Sequence, residues 1–181
     1  NAMFCREPVS ISQLSENLLG EREIPENPLF ALTFDDGLRN QFDNAVPVLN
    51  RYETEATFFV MGGLMDGSWA GDRVHAYMTS EQVEHLSRLG YEIGSHTVTH
   101  RNLVGLYNQG NMGGALDEIH QSKVKLEAVT ASEVTSFCYP NGSSNLAIRQ
   151  VVSDVYKSAV STISGRMQTE SMMYSLRRMR V

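Results

Sequence analysis

The chain has 181 residues, of which 41% are hydrophobic and 20% are charged, values that suit one globular domain with a substantial core. Its formal net charge of −6 argues against binding of nucleic acid, because an acidic surface repels phosphates. No run of about 18 apolar residues occurs, so we expect no transmembrane segment. The two cysteines, Cys5 and Cys138, are too few for a disulfide framework.

Residues 1–28 are polar and are predicted to form an N-terminal extension, followed by a single domain at 29–181. Asn1 and Ala2 resemble the remnant of an expression tag, which would make Met3 the native start. No signal-peptide pattern opens the chain. We therefore expect a cytoplasmic protein if Met3 is the native start, and a cell-envelope or secreted one otherwise.

Within the extension, apolar positions between residues 12 and 19 are spaced for one face of a helix. Ser10 or Ser12 is available as its N-terminal cap. This pattern predicts a short helix that lies across the sheet rather than in a functional site.

Strand-like and helix-like segments then alternate along the chain. Apolar runs predict strands at 30–34, 56–61, 91–95, 136–139, 156–162 and 174–181, and helical periodicity predicts helices at 40–52, 79–90, 115–129 and 146–155. Residues 107–114, rich in Asn and Gly, are predicted to be a flexible connection. The alternation predicts a parallel sheet with right-handed crossovers, and periodicity alone leaves open whether it is a barrel or an open sheet.

One strand-like run, Leu29-Phe30-Ala31-Leu32, leads into two adjacent carboxylates, Asp35 and Asp36, followed by Gly37. Neighbouring side chains on a strand point apart, but at a strand end both can face one cavity while keeping different roles. An Asp-Asp-Gly sequence alone is most often a surface turn.

A complementary segment, Gly94-Ser95-His96-Thr97-Val98-Thr99-His100, follows another strand-like run. Histidines four residues apart fall on one face of a helical turn, a spacing that suits two nitrogen ligands of one metal, although many such pairs are merely solvated. Carboxyl ends of parallel strands are where sites assemble. Asp36, His96 and His100 are therefore predicted to ligate a metal, which leaves Asp35 free to act as a base.

The segment Thr33-Phe34-Asp35-Asp36-Gly37 resembles the first motif of the polysaccharide deacetylases, also called NodB-homology or carbohydrate esterase family 4 proteins. Ser95-His96-Thr97-Val98-Thr99-His100 contains their second motif, His-Ser/Thr-x-x-His. The likeness runs from about Leu29 to the C-terminus. It implies an α/β fold, namely a distorted, incomplete (β/α) barrel of about six to seven parallel strands.

The resemblance also implies roles for these residues. Asp36, His96 and His100 would hold one divalent metal ion, zinc with cobalt or nickel as alternatives, and Asp35 would be the general base. Such an ion lowers the pKa of bound water and polarises the acetyl carbonyl. Three nearby hydroxyls are predicted to orient the catalytic groups, namely those of Thr33, Ser95 and Thr97. Hydroxyls of this kind often only cap a turn.

Pro140-Asn141-Gly142 stands where the family usually has Pro-Tyr-Gly, a loop whose backbone N–H helps to hold the tetrahedral oxyanion. Only a backbone donor is needed, so Asn141 can serve in place of Tyr. Taken alone, the segment is equally typical of a plain turn.

Two departures from the family pattern bear on activity. Well-characterised members carry, at the position of Cys138, an Arg that supports the base, and cysteine cannot replace it. The Leu-x-His motif that provides the general acid is also not found, which leaves the acid unassigned. His75, His85 and His120 remain, and each is more typical of a surface residue; His75 is the best candidate of the three, because it lies in the loop that contains Trp69.

The sequence thus predicts a metal-dependent hydrolase that removes the N-acetyl group from an amino sugar in a polysaccharide or glycan precursor and releases acetate. Its partner would be an N-acetylated glycan, and the oligomeric state is left open. Two alternatives remain at this point: an O-acetyl carbohydrate esterase, and a catalytically degenerate family member that binds glycan. The retained Asp and His residues favour the enzyme, whereas the missing acid and Arg favour the degenerate member.

Overall fold

The structure is a computed structural model that describes residues 6–67 and 76–180. Two short strands, β1 and β2, pair in parallel, and six further strands form one parallel sheet in chain order from β3 to β8. The strands are β1 (Glu7–Pro8), β2 (Leu29–Phe30), β3 (Leu32–Phe34), β4 (Ala56–Val60), β5 (Glu92–Ser95), β6 (Ser136–Cys138), β7 (Ser158–Ser164) and β8 (Leu176–Arg178). The predicted parallel α/β sheet is confirmed.

Helices connect these strands, and those that follow β3 pack against the outer face of the sheet. The helices are α1 (Ile11–Leu19), α2 (Val46–Arg51) with a π-helical turn before it (Gln41–Ala45), α3 (Ser80–Arg88), α4 (Leu103–Asn108), α5 (Met112–Thr130) and α6 (Leu146–Val155), together with 3₁₀ turns at Pro140–Gly142 and Glu170–Met172. Among the described helices we find none with the length and apolar character needed to cross a bilayer.

The prediction of a flexible connection at 107–114 is wrong in part. Helix α4 ends within that range, and α5 already begins at Met112. Asn111 in this segment is a helix cap that accepts a hydrogen bond from the N–H of Gly114, just as Asn102 ahead of α4 accepts one from the N–H of Gly105. Capping is a common role of Asn, so this residue type also occurs immediately before helices.

The sheet is curled, and its core has two parts. The larger cluster fills the space between the sheet and the surrounding helices. A smaller cluster lies inside the curl and consists of Ile11, Phe59, Cys138, Val160 and Leu176. The curl brings the last strand to the first, because the guanidinium of Arg178 on β8 donates a hydrogen bond of 3.2 Å to Oγ1 of Thr33 on β3.

Helix α1 closes the amino-terminal end of the curl, as predicted for this segment. It starts from a capping box at Ser10, and its first amides enter the interior. The N–H of Ile11 donates to Oγ1 of Thr57 at 3.0 Å, and the N–H of Ser12 donates to Oε2 of Glu92 at 3.0 Å. Because this end is plugged, the opposite end, where the strands finish, is the one available for a site.

Candidate metal centre

The two carboxylates leave β3 in a left-handed turn. Asp36 has φ of 74° and Gly37 has φ of 65°, values that few residues other than Gly adopt without strain. A Cβ on Gly37 would stand 3.1 Å from Cγ1 of Val60, so glycine is also favoured by close packing against β4. This turn separates the directions of Asp35 and Asp36, as their different predicted roles require.

The two histidines belong to a loop and not to a helical turn, which corrects the sequence interpretation. His96 follows β5 directly, whereas Thr97 and His100 have φ of 67° and 62°. The loop is held by a hydrogen bond from the N–H of His96 to the carbonyl of Val60 at 2.9 Å. A second bond, from the N–H of His100 to Oγ1 of Thr97 at 3.0 Å, closes the turn.

Asp36, His96 and His100 converge on one point. Oδ1 of Asp36 lies 3.3 Å from Nε2 of His96 and 3.4 Å from Nε2 of His100. Ligands bound at about 2.0–2.1 Å around a tetrahedral zinc ion are separated by about 3.3–3.4 Å. Two imidazoles and a carboxylate at this spacing fit a zinc-like ion well.

A second group of possible ligands, Asp35, His96 and Cys138, also lies within 4.8 Å. It fits a cation poorly, because both carboxylate oxygens of Asp35 already accept hydrogen bonds from the positively charged Arg178. The group around Asp36 is therefore the better candidate.

The surroundings of His96 and His100 set the orientation of the His96 ring and shift the pKa of both imidazoles. Nδ1 of His96 lies 2.7 Å from the carbonyl oxygen of Cys138, which directs Nε2 towards Asp36. Burial alone would lower the pKa of His96, but Cys138, the hydrogen bond to Asp36 and the charge of Asp35 raise it well above its usual value. The pKa of His100 is lowered by burial and by repulsion from His96.

Backbone strain concentrates at this end of the sheet. Seven described residues other than glycine have positive φ, and four of them lie in the loops that follow β3, β5 and β6: Asp36, Thr97, His100 and Asn141. Each such conformation costs on the order of 1 kcal/mol or more and persists only where surrounding contacts fix it. Clusters of this kind are typical of functional sites.

Asp35 is held by a residue that the sequence interpretation missed. Arg178 on β8 donates from Nη1 to Oδ1 of Asp35 at 2.7 Å and from Nη2 to Oδ2 at 2.8 Å, a bidentate pair. Nη2 also lies 3.4 Å from Sγ of Cys138. Although burial lowers the pKa of Arg178, its contacts with Asp35 and Cys138 raise it on balance. Cys138 cannot support the predicted base, Asp35, and Arg178 on the last strand provides that contact instead.

The remaining predicted residues are placed as follows. Ser95 is buried and donates to Oγ of Ser122 at 2.8 Å, and Thr97 closes the histidine loop through its hydroxyl. Thr33 contacts the Arg178 guanidinium. Asn141 lies in the turn after β6, with φ of 56°, next to the strand whose end holds His96. His75 lies outside the described residues, and His85 and His120 are exposed, as expected for surface histidines.

Comparison with known proteins gives a family match and similar folds. The model of the family described as polysaccharide deacetylase matches residues 22–159. YxkH of Bacillus subtilis (strain 168) is 30% identical over 165 residues, which cover 91% of this chain and 55% of that protein. The chain therefore spans about half the length of this relative.

Two further comparisons concern proteins with a named activity. Poly-β-1,6-N-acetyl-D-glucosamine N-deacetylase of Escherichia coli (strain K12) is 31% identical over 101 residues, 50% of this chain and 15% of that protein. The Streptococcus pyogenes deacetylase PplD, solved in complex with acetate, superposes with a TM-score of 0.84 at 25% identity, over 97% of this chain and 74% of that chain. The curled sheet described above is thus shared with a deacetylase.

Proposed function

Because this chain belongs to the polysaccharide deacetylase family, we propose that it is a metal-dependent hydrolase that removes the N-acetyl group from an amino sugar in a polysaccharide or glycan precursor. The observation that carries the proposal is the convergence of Asp36, His96 and His100 beside an Asp35 fixed by Arg178. Chemically, that arrangement combines a site for a Lewis acid with an oriented base.

The similar proteins support the choice of substrate class. One relative is named as an N-deacetylase of poly-β-1,6-N-acetyl-D-glucosamine, and one structural neighbour was solved with acetate, the product expected from deacetylation. An N-acetylated glycan is accordingly the substrate that we propose. The ion would be zinc, with cobalt or nickel as alternatives, because two imidazoles and one carboxylate suit these metals.

A bound divalent ion supplies two things here, namely a lowered pKa for water and polarisation of the acetyl carbonyl. The chain's own residues provide the rest. Asp35 accepts the proton of the attacking water, and each of its oxygens keeps a second lone pair for this while one is used by Arg178. The backbone N–H of Asn141 donates to the oxyanion that develops on the acetyl group.

Cleavage of the C–N bond also needs a proton for the leaving amine. His75 stays a prediction for this role. The degenerate, glycan-binding alternative loses one of its two arguments, because the supporting Arg is present in space as Arg178. An O-acetyl esterase would use the same Asp35 and the same ion, since only the leaving group differs.

The proposal is tested by metal analysis combined with acetate release. Purified protein reloaded with Zn²⁺ or Co²⁺ should hold one ion and release acetate from N-acetylglucosamine oligomers. Asp36→Ala and His100→Ala should lose the ion, whereas Asp35→Asn should keep it and lose turnover by about 10²–10⁴-fold. A variant Asp36→Ala that retains a stoichiometric ion would contradict the ligand assignment.

A matched control is Asp43→Asn, which removes a half-exposed carboxylate from the helical turn after the first motif. It should retain both the ion and turnover. Acetate released from acetate esters but not from N-acetyl oligomers would identify an O-acetyl esterase. Metal and glycan binding without acetate from either substrate would identify the non-catalytic alternative.

A further inference from the structure

Helix α5 presents two polar side chains, one turn apart, to the histidine loop. Glu118 and Ser122 are 7% and 0% exposed. Oε2 of Glu118 accepts hydrogen bonds from the N–H of Val98 at 2.9 Å and of Thr99 at 2.8 Å, and Oε1 accepts one from the hydroxyl of Thr99. The i, i+4 spacing places both side chains on one face of the helix.

A buried carboxylate is costly unless it is paired and hydrogen-bonded. Within residues 6–67 and 76–180, Glu118 forms no ion pair with a basic side chain. Its partners are instead the two amides between the strained positions Thr97 and His100. The carboxylate of Glu118 is therefore buried where it binds the two peptide groups that lead to the second histidine.

We propose that Glu118 is a positioning residue for the metal centre, and this inference rests on the metal site proposed above. By holding the amides of Val98 and Thr99, Glu118 keeps His100 in its left-handed conformation, with Nε2 directed at Asp36. Left-handed residues of this type persist only where surrounding contacts over-determine them.

The other contacts of the loop bind different groups: the N–H of His100 donates to Oγ1 of Thr97, and the remaining bonds are made to carbonyls. The hydroxyl of Ser122 donates to the carbonyl of Thr97 at 2.9 Å, and the N–H groups of Gly62 and Gly63 donate to the carbonyls of Thr97 and Val98, each at 2.9 Å. These bonds satisfy carbonyl acceptors. The two loop amides that precede His100 are the groups that Glu118 binds.

Glu118 could act through its hydrogen bonds or through its negative charge, and the two roles can be separated. In Glu118→Gln the amide oxygen can accept from both loop amides, and the NH₂ group can donate to the Thr99 hydroxyl. Glu118→Gln thus keeps the hydrogen bonds and removes the charge, whereas Glu118→Ala removes both. If positioning is the role, Gln should rescue what Ala loses.

The experiment measures the dissociation constant of Zn²⁺ by competition with a chelator, together with hydrogen exchange of the Val98 and Thr99 amides in metal-free protein. We expect Glu118→Ala to weaken Zn²⁺ binding by about 10–100-fold and to accelerate hydrogen exchange of both amides. Glu118→Gln should stay within about 3-fold of the wild type in affinity, and Asp117→Ala, which removes a carboxylate from the same helix turn, should change neither quantity.

Wild-type affinity and amide protection in Glu118→Ala would overturn the inference. The inference would also be overturned if Glu118→Gln bound Zn²⁺ as weakly as Glu118→Ala, because the charge of Glu118 and not its hydrogen bonds would then explain the loss of affinity. Should Glu118→Ala fail to fold, Thr99→Val removes only the hydroxyl contact and should weaken Zn²⁺ binding measurably. Absence of Zn²⁺ binding in the wild type would instead refute the proposed function, and fast amide exchange confined to Glu118→Ala would still support the contact itself.

Discussion

Replacement of Arg178 by Met is the most informative perturbation of the proposed active site. Met has a similar length and apolar stem, but it removes both hydrogen bonds to Asp35, at 2.7 and 2.8 Å, and the contact with Thr33. The backbone of Asp35 would stay where it is after β3, but its carboxylate would lose the group that fixes its orientation. We therefore expect a loss of turnover with the metal ligands intact.

The structure sets the size of the effect. The side chains of Arg178 and Asp35 are 18% and 31% exposed, so water compensates part of the loss. Hydrogen bonds to charged groups contribute about 1.5–3 kcal/mol when well buried, and we expect about 1–2 kcal/mol of unfolding free energy to be lost here. For a chain of this size that lowers Tm by about 2–8 °C.

For catalysis, a mispositioned base should lower kcat by about 10–100-fold, which is less than the full contribution of a general base. The assay is acetate release from N-acetylglucosamine oligomers, with zinc content measured on the same samples. Arg178→Lys is the matched control, because it keeps the charge and loses the bidentate geometry, and it should fall between the wild type and Arg178→Met.

A double-mutant cycle with Asp35→Asn provides the decisive comparison. If Arg178 acts through Asp35, then Arg178→Met should lower turnover by less than about 3-fold in the Asp35→Asn background. An equal loss in both backgrounds would refute the reasoning, since Arg178 would then act on something other than the base.

Three further predictions concern other contacts. Burial would raise the pKa of Glu127, but hydrogen bonds from a backbone N–H and from Lys123 lower it on balance, so its stabilising contribution is present above pH 4.5 and disappears as pH falls through the lowered folded-state pKa. Glu127→Gln should therefore lower Tm above that pH and converge with the wild type in more acidic buffer. Gly142→Ala should impair turnover, measured as acetate release, because Gly142 has φ of 68° and a Cβ there would overlap the Thr162 hydroxyl beside the proposed oxyanion loop. Cys138→Leu should displace the guanidinium that contacts its sulfur and reproduce the Arg178→Met phenotype in turnover, whereas Cys138→Ser should not.

The fold and the grouping of the candidate metal ligands could be predicted because each has a local signal. Alternating apolar runs and helical periods indicate a parallel α/β sheet. Asp36 and His96 each follow closely after a strand, and the carboxyl ends of parallel strands meet at one edge. The loops after β3 and β5 therefore meet at that edge although β4 lies between the two strands, almost regardless of what separates them in sequence.

The conformation of the histidine loop could not be predicted in the same way. A spacing of four suits a helical turn, yet His96 and His100 converge through a loop with left-handed residues. That loop is stable because side chains of α5 and backbone groups of the segment after β4 satisfy its amides and carbonyls. Such partners come from distant parts of the chain, and a pattern of residue types within the loop does not indicate them.

Arg178 is the clearest case of a long-range contact that was missed. It lies 143 positions from Asp35 in sequence, and the two meet only because the sheet curls until β8 faces β3. One local signal was present: Arg178 stands two positions after the buried Leu176, so both point to the same side of β8. A charged residue on the inward face of a strand is expected to have a buried partner, and a carboxylate was the partner to look for.

The loss of a motif residue does not show by itself that the active site has degenerated, because the chemistry depends on which group occupies a position in space. By the family resemblance, the guanidinium that supports the base would come from position 138 on β6. Here that position is Cys138, which is fully buried, and Nη2 of Arg178 reaches to 3.4 Å from its sulfur. An arginine side chain at 138 would need the space that Arg178 fills. The small residue on β6 therefore leaves room for the arginine on β8. The departure that argued for a non-catalytic protein thus becomes an argument that the proposed base, Asp35, is still held in place.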